Sequence, residues 1–208
     1  EGEKRFLSVG GDGTGFEVVN GLFPRATNDV TVAMLPLGTG NSFLRDFGIL
    51  SEDAAIEAIV RGTPNPVDVV RMTHEGGELH YINLLGLGFT ASVGKLTNDR
   101  FKGLGPLGYV AAVVVQVARL EHTVDPIVID GGSVDSRAAA MLVFSNSQYT
   151  GGAMQMAPKA SVADGSLDVI RVGALSRLGL LRQFPKIFSG THVDGPDVEE
   201  ARARTVEF

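Results

Sequence analysis

Cysteine is absent from the 208 residues. That excludes a disulfide framework, thiolate chemistry and a zinc–sulfur centre, and it fits a reducing compartment. Long uncharged apolar runs are also missing. The longest candidate, GYVAAVVVQVARL (108–120), is too short to cross a bilayer and carries Arg119 near its end. The first residues do not read as a signal peptide, so any membrane role is expected to be peripheral. Clustered Lys and Arg are lacking in a chain of net charge -6, which argues against nucleic acid as a partner. His74, His80, His122 and His192 are scattered without metal-ligand spacing. Disorder is excluded by a hydrophobic content of 44%, and the length is enough to bury a core without staples.

Glycine, by contrast, is abundant. Its 27 residues gather at Gly10-Gly11, Gly38/Gly40, Gly86/Gly88, Gly103/Gly105/Gly108 and Gly151-Gly152, a pattern of tight turns and close backbone approaches rather than of linkers. RFLSV (5–9) reads as a buried strand. Thr14 to Leu22 reads as a helix with Phe16, Val19 and Leu22 or Phe23 on one face, broken by Pro24. VTVAMLPL (30–37) is a second strand and SFLRDFGI (42–49) a short helix. Ser51 caps a helix over EDAAIEAIVR that stops at Gly62. Strand-helix-strand-helix order over residues 1–62 predicts a parallel α/β layer.

The texture changes at TPNPVDVV (63–70), where two prolines mark a domain boundary. Strand candidates then dominate: VDVVRM, ELHYINLLGLGF, PIVID, AAAMLVFSN, SLDVIRVG and RARTVEF, with HEGGE (74–78) as a hairpin turn. Helices are expected over Gly108–Leu120, apolar nearly all round and therefore buried, and over about Arg177–Ser189. The second of these mixes Arg177, Arg182 and Lys186 with Leu and Phe. That suits an ordinary amphipathic helix or a role at an anionic membrane surface.

The chemistry concentrates in two glycine loops. GGDGTG follows the first strand and leads into a helix, an arrangement that offers free N–H groups and partial positive charge to phosphate. Asp12 would repel phosphate unless a divalent cation lay between them, and Mg²⁺ is held by one or two carboxylates plus substrate phosphates. A surface β-turn is the favoured reading of GGDG taken alone. GTGN after a second strand favours the ligand reading, because two parallel strands place both loops at one sheet edge. Neither loop carries the GxGxxG dinucleotide fingerprint.

GGDGTGFEVVNGL (10–22) and PLGTGNSFLRDFGI (36–49) resemble the paired signatures of the diacylglycerol kinase catalytic domain family, which includes sphingosine, ceramide and bacterial lipid kinases. INLLGLGFTASV, KGLGPLGYV and FSNSQYTGGAMQMAPKASVADGSLDV resemble its later blocks, in family order. The resemblance implies a fold class of α/β plus all-β: a truncated nucleotide-binding α/β domain like those of NAD kinase and phosphofructokinase over 1–62, then an antiparallel β-sandwich-like domain with helices over 63–208 that shapes a lipid cleft. It implies transfer of the ATP γ-phosphate to a hydroxyl of diacylglycerol or a sphingoid-type lipid, with ATP and Mg²⁺ as cofactors. Gly10, Gly11, Asp12, Gly13 and Thr14 match the nucleotide-phosphate loop, and Gly38, Thr39, Gly40 and Asn41 match the second loop. Asp12 also takes the catalytic role, Glu17 and Asn20 brace the first loop, and Asp68 shares a metal network with Asp12. A cytoplasmic protein, peripheral to the membrane that holds its lipid substrate, is expected; a homodimer is left open.

Three departures from the family pattern stand out. Ser42 occupies a position where many members carry Asp, so an acidic contact is expected to be lost. Few residues precede Gly10, where the family has an earlier strand and an Asn-Pro-x-Ser-Gly-like loop. No Asp-Gly-Glu, the family's source of a general base, follows Phe208. The chain is therefore expected to be an internal portion of a longer enzyme. A non-catalytic lipid- or nucleotide-binding module and a NAD kinase-like soluble kinase are the rival readings. Asp164 and Asp168 fit either a structural cation or a turn into a strand, and Met154 and Met156 fit packing or an acyl-chain cleft.

Overall fold

The computed structural model describes residues 3–23, 25–26, 29–101 and 106–208. Pro24, Gly103 and Gly105, singled out above, lie outside them. Strands β1 (Arg5–Gly10) and β2 (Thr31–Pro36) pair in parallel, from Arg5 opposite Thr31 to Gly10 opposite Pro36. Helix α1 (Asp12–Leu22) connects them and starts two residues earlier than expected. It buries Gly15 and Val19; Phe16, expected inside, is exposed. Nor is β1 a buried strand. Alternation sends Ser8 inward at 3% exposure and leaves Leu7 and Val9 at 56% and 49%, because no described element covers their side. A 3-10 turn over Phe43–Phe47 precedes α2 (Glu52–Arg61). Ser51 Oγ accepts from Ala54 N at 3.2 Å at the start of α2, and Gly62 ends it with φ 65°, as the capping residues predict.

Beyond Arg61 the structure is antiparallel. β3 (Val70–His74) and β4 (Gly77–Tyr81) form a hairpin about Glu75 and Gly76, followed by β5 (Leu84–Gly88). ELHYINLLGLGF, read above as one strand, breaks at Ile82 and Asn83. There the Asn83 carbonyl leaves the ladder to accept from Asn146 N (2.8 Å) and Ser147 N (3.2 Å). Helix α3 (Phe89–Leu96), which the glycine-rich sequence concealed, runs into a π-helical turn at Thr97–Phe101, and α4 (Pro106–Ala118) follows. Then come β6 (Val128–Ile129), β7 (Ala139–Ser145), β8 (Tyr149–Thr150), β9 (Met154–Gln155) and β10 (Leu167–Gly173). α5 (Arg177–Gln183) gives way to 3-10 turns at Phe184–Ser189 and Thr191–Asp194, so the helix expected to reach Ser189 changes type at Phe184, one residue before Pro185. β11 (Val198–Ala203) and β12 (Val206–Glu207) complete the order.

The main sheet has the order β11-β10-β7-β5. All seven residues of β7 are buried, and they alternate between two cores. Ala140, Met141 and Val143 join α3, α4 and α5 through Val93, Val113 and Leu180. Ala139, Leu142 and Phe144 face the β6–β12 pair through Ile129 and Val206. α4 is not buried all round: Ala112, Val113 and Val117 pack inward while Val110 and Val114 face out. Met154 and Met156 are core residues, at 1% and 3% exposure. A third, smaller core of Val19, Phe43 and Ile82 lies where α1 and the 3-10 turn after β2 meet the residues between β4 and β5.

Candidate active site

The parallel pairing of β1 and β2 delivers both glycine loops to one edge, and the loops touch backbone to backbone. A Cβ built on Gly38 would fall 2.3 Å from Gly11 Cα and 2.8 Å from Gly11 N. No side chain fits there, so glycine at 38 is a condition of the loops meeting at all. Asn41 shapes the second loop from within: its Oδ1 accepts from Gly38 N (3.1 Å), its Nδ2 donates to Gly38 O (2.7 Å), and its own φ is +51°. Asparagine is among the few non-glycine residues that adopt this conformation readily.

Asp12 fastens the loops together. Its Oδ2 accepts from Ser42 N at 2.9 Å and its Oδ1 from Phe43 N at 3.1 Å. Asn83 Nδ2, from the start of the β-rich region, approaches Oδ1 at 3.4 Å. Gly40 sits against this carboxylate, where an added Cβ would be 3.1 Å from Oδ2. Gly11 has no side chain to cap α1, so among the described residues the first amides of the helix have no side-chain partner. Gly13 and Thr14 are exposed beside them, as is Thr39 on the other loop. Thr14 folds back over Gly10, where a Cβ would be 2.3 Å from its Oγ1. Gly10, Gly11, Asp12, Asn41, Phe43 and Asn83 are among the residues that line a shallow cleft.

The supporting positions separate. Asn20 pairs with the main chain of His80 through both halves of its amide: Nδ2 donates to His80 O (2.7 Å) and Oδ1 accepts from His80 N (2.8 Å). Glu17 is exposed and makes no hydrogen bond among the described residues. Asp68 is engaged elsewhere, its Oδ2 accepting from Gly165 N at 2.6 Å. Asp12 and Asp68 are joined only indirectly. Asn83 reaches Asp12 with its side chain and receives Asn146 N on its carbonyl, and Asn146 Nδ2 donates to Asp68 O at 3.0 Å. Among the described residues no group of three or more His, Cys, Asp or Glu is placed to hold a metal ion.

Several contacts at this site were not foreseen. Ser42, expected to mark a lost acidic contact, is 2% exposed; its N donates to Asp12 and its Oγ accepts from Gly152 N at 2.9 Å. Asp46, one turn on, accepts Gln148 N at 2.9 Å on Oδ1, while its buried Oδ2 has no partner among the described residues. Burial pushes the Asp46 carboxyl up to about 6, against the opposing pull of the Gln148 N–H. The one sequence signal for Asn83 was a lone amide inside an otherwise apolar run. Asp46 gave none.

A family model described as a diacylglycerol kinase catalytic domain matches residues 1–72, and one described as a YegS C-terminal NAD kinase beta sandwich-like domain matches residues 83–208. A diacylglycerol kinase of Mycobacterium tuberculosis (strain ATCC 25618 / H37Rv) is 31% identical over 209 residues, which cover 99% of this chain and 67% of the relative. A diacylglycerol kinase of Bacillus subtilis (strain 168) is 29% identical, covering 97% of this chain and 65% of the relative. A crystal structure of a protein from Bacillus anthracis str. Sterne, described as a candidate diacylglycerol kinase, matches with a TM-score of 0.76 at 27% identity, over 98% of this chain and 65% of that one. The chain thus spans about two thirds of the length of the relatives it matches.

Proposed function

Because the chain belongs to the diacylglycerol kinase catalytic domain family, we propose that it carries the nucleotide loops and the lipid-facing sheet of an ATP-dependent lipid kinase. In this reading residues 1–62 hold ATP and residues 63–208 shape the lipid side. The reaction moves the γ-phosphate to a hydroxyl of diacylglycerol or a sphingoid-type lipid at the cytoplasmic face of a membrane. What carries the reading is the fastening of both glycine loops by one carboxylate, Asp12, in the first turn of a helix whose leading amides have no side-chain partner.

Each part of the edge has a task. Amides at the start of α1, with Gly13 and the Thr14 hydroxyl beside them, would receive phosphate oxygens. The contact of Gly11 with Gly38 keeps the loops at a fixed separation, so the phosphates would meet a rigid cradle. Positioning and charge stabilisation are most of what phosphoryl transfer asks of a protein. Asp12 would hold Mg²⁺ on lone pairs left over from its backbone hydrogen bonds, with Asp68 acting on it through the Asn146–Asn83 connection rather than at the ion; the ion would supply charge neutralisation on the phosphates. Asn83 and Ser42 would hold the Asp12 carboxylate in its rotamer.

The test is transfer of labelled phosphate from ATP to diacylglycerol and to sphingosine in mixed micelles. Asp12→Ala should lower the rate about a hundredfold or more while far-UV circular dichroism stays native. Wild-type-like turnover in that variant would sink the mechanism. Ser42, in place of the family's Asp, favours a second reading, a non-catalytic nucleotide- or lipid-binding module. Calorimetric binding with no transfer to lipid, NAD or sugar phosphate would select it.

A further inference from the structure

We propose that the apolar cleft beneath α5 binds an aliphatic chain that carries a hydroxyl, and that His192 and Gln183 select that hydroxyl. Met141 and Val172, from β7 and β10, form one wall of the cleft. Leu180, Phe184 and Ile187, from α5 and the turn that follows it, form another. Thr90, Gln183 and His192 are the polar residues of the lining.

Two of these polar residues hold unused acceptors. His192 is 1% exposed, and its Nε2 meets Met156 O at 3.1 Å. A carbonyl only accepts, so Nε2 carries the proton. Burial lowers the pKa of the ring, which is therefore neutral near pH 7. Nδ1 is left as a bare lone pair, buried and without a partner among the described residues. Gln183 Oε1 is in the same condition. The two residues meet at Gly195, where a Cβ would be 2.6 Å from Gln183 Nε2 and 3.2 Å from His192 O. Thr90 cannot supply the missing proton, because its Oγ1 already donates to Met141 Sδ at 2.9 Å.

Buried acceptors are ordinarily bonded, so two unpaired ones on one cleft point to a donor from outside the chain. An ammonium would be costly to bring among Met, Leu, Ile and Phe. A plain alkyl chain would leave both acceptors unpaired, and a lone water would leave the apolar walls uncovered. A hydroxyl on a chain answers both needs: its proton goes to one acceptor beside the other, and its carbons cover the walls. The inference rests on the kinase reading for the lipid character of this side, but its test uses no nucleotide.

Calorimetric titration of the purified chain tests it, below the micelle concentration of each probe. The probes are dodecanoic acid and dodecanoic acids hydroxylated near the carboxyl, at mid-chain and at the far end. One hydroxylated acid should bind about tenfold more tightly than the parent, the value of one net hydrogen bond. His192→Phe should abolish that preference and keep the affinity for dodecanoic acid. Gln183→Leu should do the same, and decides the matter if the histidine variant does not fold. Equal binding of all the acids by the wild type would give the acceptors to water and overturn the inference. So would no binding of any acid, or a preference retained in both variants. Equal weakening of every acid in the variants would mark the two residues as structural and overturn it as well. Phosphate transfer to diacylglycerol, measured in parallel, keeps the two readings apart. Selection without transfer upholds the cleft while removing the kinase reading, and transfer without selection does the reverse.

Discussion

The Asp46 carboxyl titrates nearer neutrality than an ordinary aspartate, and its position makes that consequential. It sits four residues beyond Ser42 and holds Gln148 N, so it links the second glycine loop to the segment after β7. The folded state raises its pKa from 3.8 to about 6, binding the proton more tightly than the unfolded chain does. The sign follows from linkage: its contribution to stability is complete below about pH 3.8 and is lost as pH rises through about 6. His192 acts in the opposite sense. Burial lowers its imidazole below 6.5, against the Met156 carbonyl and the nearby Glu200 and Asp194, so its contribution is complete above 6.5 and is lost as pH falls. The wild-type profile therefore mixes the two, and a single variant separates them. Asp46→Asn keeps an acceptor for Gln148 N and removes the titration. It should gain roughly 1 kcal/mol over wild type at pH 7, a figure held low because the group is partly solvated, and nothing at pH 4. Urea unfolding at both pH values checks this; an equal difference between variant and wild type at the two pH values would remove Asp46 as the cause.

Among elements, α1 shows how a loop beside a ligand edge is kept in place. The helix buries little of its own: Gly15, Val19 and a share of a three-residue core. Its lateral anchor is Asn20, whose amide pairs with His80 on β4 as one strand pairs with the next, and Phe23 stacks on the His80 ring at 4.6 Å. Asn20→Ala removes both bonds and leaves the N–H and carbonyl of a buried residue without partners. It should destabilise the chain by about 1–3 kcal/mol, read from denaturant midpoints, and wild-type stability would refute the brace. The elements themselves were legible unevenly. Ser51 and Gly62 announce α2 because caps are local chemistry, and the parallel strands follow from their order along the chain. α3 was missed because Gly88 and Gly94 flank β-branched and aromatic residues, so local propensity argued against a helix that tertiary packing of Val93 enforces. Asp12 was legible as a candidate-site residue once both glycine loops were read together; Asn83 and Asp46 were not, since only the approach of two distant segments gives them partners.

At the scale of the whole molecule, the α/β layer and the β-rich region are joined by polar contacts rather than by one broad apolar interface. Asn20 meets His80 through two bonds, and further links run from Asp12 to Asn83, from Ser42 to Gly152 and from Asp46 to Gln148, around the small core of Val19, Phe43 and Ile82. The β-rich region has two extensive cores of its own. The α/β layer leaves Leu7, Val9, Ile56 and Val60 exposed, so its stability leans on these links more than on its own burial. Each link is worth about 1 kcal/mol net, yet their groups are buried or half-buried and are expensive to leave unpaired. The wild-type chain should unfold in one transition, because the layer has too little core to persist alone once its neighbour is lost. Ser42→Ala combined with Asn83→Ala should divide that transition. Far-UV circular dichroism, which reports every helix and strand, would begin to change at lower urea than tyrosine fluorescence, because Tyr81, Tyr109 and Tyr149 all lie beyond residue 62. Coincident curves in the double variant would show that the small apolar core, not the polar links, couples the two halves.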